Sequence, residues 1–147
     1  MELVSTGVTE TPPVIERWLR VIEAGQTTEA ERGEHLTTEL EDMLAEDAVF
    51  HSPAVFTPQR GRATAVAYLR AAEQMFSQSG FHYVEKWIGA DSAVLHFAAA
   101  FDGLSVEGID IIHWNDDGKI TSVKVMIRPF KALQAVIGKM AELLAGH

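Results

Sequence analysis

A chain of 147 residues that is 47% hydrophobic has the size of one ordinary domain and apolar material for one sizeable core. Twelve basic residues against 21 acidic ones leave a net charge of −9 with no basic patch, so neither nucleic acid nor an anionic membrane surface is expected as a partner. The absence of cysteine excludes disulfides, thiolate metal sites and a thiol nucleophile, and fits a reducing, cytoplasmic setting.

Residues 1–13 are polar and acidic, end in Pro12-Pro13, and lack the basic start and apolar run of a signal peptide. They read as a flexible tail before a single domain over 14–147. Ile15, Trp18, Leu19 and Ile22 recur at helical spacing, which predicts a first helix from Val14 to Ala24 with Trp18 facing the core and Gly25 as its stop. Leu36, Leu40, Met43 and Leu44 repeat that spacing up to a short β-like run, Ala48 to His51. Pro53 and Pro58 then bracket a loop. Gly61 to Gln78 reads as a third helix with Val66, Leu69, Ala72 and Phe76 on one stripe, ended by Ser79-Gly80.

From Phe81 the period switches to two. Four strands are separated by turn signals at Gly89-Ala90-Asp91, Asp102-Gly103 and Asp116-Asp117-Gly118, which implies an antiparallel meander. A two-residue hairpin at Asp102-Gly103 pairs Phe101 with Leu104, Phe97 with Gly108 and Leu95 with Asp110. Asp110 then shares a face with Leu95, Phe97, Phe101, Ile112 and Trp114. The opposite face carries Val94, His96, Ala98, Ala100, Ile109, Ile111 and Met126, too apolar a set for a sheet surface in water. A second copy of the chain is the expected cover, giving a homodimer through the outer sheet face; a last helix from Phe130 to Ala145 is the rival cover.

An aspartate between Leu95, Phe97 and Ile112 pays a desolvation penalty when ionised, so its pKa is expected to rise and suit it to act as acid, base or hydrogen-bond donor. His51, beside Ser52 at the rim, is its best catalytic partner, although strand parity turns it away unless a bulge intervenes. His96 and His113 fall on the face opposite Asp110, and no H-x-H or H-E-x-x-H spacing occurs, so no metal site is expected. Phe50, Phe56, Tyr83, Trp87, Phe97, Phe101 and Trp114 line a cavity or simply form core. Glu85 is either a second pocket carboxylate or an exposed strand end, and Arg128 either meets an acid across a dimer contact or is solvated.

The segment from Leu44 to Pro53 with Gly61-Arg62, and the run from Gly108 to Pro129, carry a resemblance to the nuclear transport factor 2-like superfamily, which includes ketosteroid isomerases and SnoaL-like polyketide cyclases. The resemblance implies an α+β cystatin-like cone: three N-terminal helices packed on a strongly curved mixed or antiparallel sheet, then a C-terminal helix. It also implies an apolar pocket, here lined by Trp18, Ser52, Phe56, Trp87, Leu95, Phe97, Ile112 and Trp114, that takes a small apolar molecule without a cofactor. Asp110 falls where ketosteroid isomerases keep a protonated aspartate. Their general-base aspartate corresponds to Ser52, their oxyanion tyrosine to Trp18 and a supporting tyrosine to Leu69. The expected function is a cofactor-independent isomerase, lyase or cyclase using Asp110; the alternative is a non-catalytic ligand-binding or dimeric scaffold domain.

Overall fold

The structure is a computed structural model that describes residues 4–7, 10–22, 29–77 and 79–145. Pro13 opens helix α1 (Pro13–Ile22) at the position where its missing N–H costs nothing, and the Pro12 carbonyl accepts from the backbone nitrogens of Ile15 and Glu16, both at 3.0 Å. Ile15, Trp18 and Val21 are its buried stripe. Gly25 and Ala24, expected at the end of this helix, and Gln78, expected at the end of the third, lie outside the described residues.

Helix α2 (Glu29–Met43) stops one residue earlier than its apolar spacing suggests, because Leu44 begins strand β2 (Leu44–His51), pairing with Ile120. Pairing partners distant in sequence override the local spacing here. A two-residue strand β3 (Gln59–Arg60) follows, then α3 (Arg62–Phe76), whose stripe is Ala65, Val66, Leu69, Met75 and Phe76. The meander consists of β4 (His82–Ile88), β5 (Ser92–Phe101), β6 (Leu104–Trp114) and β7 (Ile120–Arg128), and α4 (Phe130–Ala145) ends the described chain.

The turn between β5 and β6 fixes the geometry of everything near Asp110. Asp102 and Gly103 take φ of 50° and 76°, the doubly left-handed two-residue turn whose twist matches its flanking strands. The expected register follows: Phe101 opposite Leu104, Phe97 opposite Gly108, Leu95 opposite Asp110.

With Val4–Gly7 as β1, the curved mixed sheet has the order β1-β4-β5-β6-β7-β2-β3, with β2 parallel to β7. Strand β1 (Val4–Gly7) runs parallel to β4, Val4 opposite Glu85. The N-terminal segment is therefore in part an edge strand where a flexible tail is expected: it satisfies the free edge of β4, a long-range pairing with no local turn to announce it. The helices pack on the concave face, and α4 lies against α3 and the concave side of β5, β6 and β7, burying Ala132 and Val136. It does not cover the outer face. No helix among the described residues is long and apolar enough to cross a membrane.

Candidate functional site

Asp110 is the one acidic side chain buried among the described residues, 7% exposed on the concave face of β6. Leu95 lies opposite it on β5 and Val125 on β7. The Tyr83 hydroxyl donates to Oδ2 of Asp110 at 2.6 Å, and the Trp18 indole Nε1 donates to that hydroxyl at 2.9 Å. Three elements, α1, β4 and β6, thus converge on one carboxyl. Burial pushes it up to about 7, against the opposing pull of the Tyr83 hydrogen bond.

Oδ1 takes no hydrogen bond from the described residues. Since no fully buried side-chain oxygen or nitrogen among them lacks a partner, Oδ1 keeps contact with accessible space. Leu95, Phe97 and Ile112 are at most 1% exposed, whereas Val125 and Ile127 on β7 are half-buried.

Of the residues expected to line a pocket, Trp18, Leu95, Phe97 and Ile112 do surround Asp110, but as close-packed core. Phe97 sits against Phe76, Phe81 and Tyr83, with ring centroids 4.9 to 6.4 Å apart, and its ring fills the space over Gly108. Trp114 is half-buried against the core at the far end of the same strand.

Five of the residues named from the sequence are not brought to Asp110. Trp87 and Glu85 leave the site because β4 bulges between Tyr83 and Glu85, and one extra residue reverses the parity of all that follows. Trp87 pairs with Val94 and Glu85 with His96 on the outer face, while Lys86 and Ile88 turn inward. Phe56 projects fully into solvent from the loop after Pro53. Ser52 spends its hydroxyl on that loop, accepting from the Ala54 nitrogen at 3.0 Å. His51 follows its strand parity: Phe50 is buried, so His51 joins the outer row with Lys124 and Ile111 and is not brought to Asp110. Desolvation, Lys124 and Arg60 together hold its imidazole below the ordinary value.

Tyr83 is the neighbour of Asp110 that the sequence does not single out, since it appears there only as one aromatic among seven. Its place opposite Phe97 on the Asp110 face is the signal, because it is the one phenol among the meander strands and reaches across Phe97 and Gly108. Arg128 pairs within its own chain, with Nη1 at 2.6 Å from Oε1 of its cross-strand neighbour Glu107, which His96 approaches at 3.3 Å.

Residues 15–123 match the family model of the SnoaL-like domain. The chain belongs to the SnoaL-like family. Among solved structures, this SnoaL-like chain is similar to a steroid delta-isomerase from Pseudomonas aeruginosa, at 30% identity and a TM-score of 0.77 over 90% of each chain. It is also similar to an uncharacterised protein with a cystatin-like fold from Silicibacter pomeroyi DSS-3, at 27% identity and a TM-score of 0.75 over 88% of this chain and 84% of that one. A candidate SnoaL-like polyketide cyclase from Jannaschia sp. CCS1 shares the fold at 15% identity, with a TM-score of 0.63 over 88% and 97% of the two chains. No curated protein matches the chain.

Proposed function

We propose that the SnoaL-like cone binds a small apolar molecule and that Asp110 handles its polar group as proton donor and acceptor, with no cofactor. The observation that carries this is a carboxyl buried among apolar side chains with Oδ1 still reachable. Raised to about 7, it is present in both protonation forms at neutral pH, the condition under which one group serves as either acid or base. The steroid delta-isomerase relative supports isomerase, lyase or cyclase chemistry as the class. It does not support the isomerase reaction itself, because the position of that family's general base is Ser52, a hydroxyl tied to Ala54.

Among the described residues no second carboxylate and no imidazole stands beside Asp110, which favours a second reading, binding without turnover. One experiment addresses both: a panel of neutral apolar molecules, steroids among them, titrated against the native chain and Asp110→Asn at pH 6 and pH 8. A ligand whose affinity changes about tenfold between these pH values in the native chain and not in the variant is the expected result. Turnover of that ligand by the native chain alone selects the enzyme. Binding with no turnover selects the second reading. A panel with no binder, or the same pH response in Asp110→Asn, defeats both.

We also infer a homodimer through the outer sheet face. Met126 and Trp87 are 50% and 40% exposed there beside half-buried Val94, Ile109 and Ile111, and the rival cover, α4, packs on the concave side. The Arg128–Glu107 pair edges the strip.

A further inference from the structure

The proton inventory around Asp110 has a direction. An indole N–H donates and never accepts, so the Trp18 contact occupies a lone pair of the Tyr83 oxygen and turns the phenolic hydrogen toward Asp110. A carboxylate accepts that hydrogen at Oδ2. A neutral carboxylic acid accepts it too, more weakly, provided its own proton sits on Oδ1. A proton on Oδ2 would face the phenolic hydrogen across 2.6 Å and lose the bond.

We propose that Tyr83, oriented by Trp18, is a positioning residue that occupies Oδ2 of Asp110 in both protonation states and so makes Oδ1 the single oxygen through which this carboxyl gives a proton, takes one, or meets a ligand. The proposal rests on the reading that Asp110 is the working group of the site, and it adds which atom works and what selects it. The geometry agrees, since Oδ1 is the oxygen that keeps contact with accessible space. Among the described residues Tyr83 makes the one side-chain hydrogen bond to Asp110, and apolar Leu95 and Val125 face it from β5 and β7. Asp110 responds to desolvation and to Tyr83, with no charged neighbour contributing. The ketosteroid isomerase pattern puts a phenol on the first helix; here an indole stands there and the phenol comes from β4, so the chain reaches the carboxyl through one more link.

The test reads the Asp110 carboxyl by carbon-13 NMR in the ligand-free chain, its signal assigned by its loss in Asp110→Asn. Tyr83→Phe removes one oxygen and keeps the ring. The midpoint of Asp110 is expected to move up by about one unit, because the donor to its charged form is gone. Trp18→Phe is expected to move it up by less. Adding Trp18→Phe to Tyr83→Phe is expected to move it no further, since Trp18 acts only through Tyr83. A packing role would change thermal stability without this pattern. An unmoved midpoint in Tyr83→Phe overturns the proposal, as does an additional shift in the double variant. Should Trp18→Phe fail to fold, Tyr83→Phe alone decides. The titration uses no ligand, so its outcome is independent of whether any apolar molecule binds.

Discussion

The two faces of the sheet are made from alternate residues of the same strands, and each breaks the rule the other obeys. On the concave face Leu95, Phe97, Ile112 and Val123 are at most 1% exposed, and among them stands one acid. On the outer face His51, Lys124, His96, Glu107 and Arg128 are the polar residues that a surface demands, yet Met126, Trp87, Ile109 and Ile111 run between them. Neither exception stabilises an isolated chain. A buried carboxyl costs free energy when ionised, and an apolar strip in water forgoes burial. These are the two places where the chain departs from what folding alone would select, one in the interior and the other on the surface.

The sharpest break of this contrast is Asp110→Asn, which keeps an acceptor for Tyr83 and removes the titration. The folded-state pKa of Asp110 is raised, from 3.8 to about 7. Between these values the folded chain holds a proton that the unfolded chain has lost, so Asp110 makes stability fall as pH rises through the window, and the loss is complete above about 7. Roughly 4 kcal/mol is at stake, at about 1.4 kcal/mol per unit. Denaturant unfolding from pH 4 to pH 8 should therefore show Asp110→Asn gaining on the native chain by that order. Asp42 and Glu107, held low by Arg17 and Arg128, tilt both chains the opposite way in acid and cancel in the difference. Parallel curves would mean that Asp110 is ionised and solvated in the folded state.

Next in size is Gly108→Ala. A methyl group at this position would come within 2.3 Å of Phe97 Cζ and 2.6 Å of the Met126 carbonyl oxygen. The second contact is backbone and cannot step aside, so a loss of about 3 kcal/mol is expected in the same unfolding measurement. Ala100→Val, on the exposed end of β5, should stay within about 0.5 kcal/mol. Equal costs would mean that the two faces are packed alike.

The concave face was legible because one turn carries it. Asp102-Gly103 admits few conformations, and counting from it places every neighbour of Asp110 on β5 without further information. The rest of the site was not, because a bulge has no such signature: Phe81, Tyr83, Glu85 and Trp87 alternate evenly in sequence, and the extra residue that sends Glu85 and Trp87 outward is visible only in the pairing with Phe97 and His96. Val4–Gly7 fails for a related reason, as its partner lies about eighty residues away. The positions of Phe56 and Ser52 were not legible because a loop between prolines holds its residues by turn geometry and not by hydrophobicity.

The outer face yields the smallest change in the chain and a large one between chains. Met126 is half exposed, so Met126→Lys should leave the unfolding free energy of the single chain within about 0.5 kcal/mol. In a two-fold interface the same substitution occurs on both sides of the axis, and burying the exposed half of one methionine contributes about 1 kcal/mol. Two such losses, with a lysine placed in an apolar strip, weaken association by a hundredfold or more. Sedimentation of the native chain at micromolar concentration should thus give twice the mass of one chain, and Met126→Lys the single mass with its unfolding curve unchanged. A native chain that sediments singly, or a variant that still pairs, would remove the partner from the outer face and leave its apolar strip without an account.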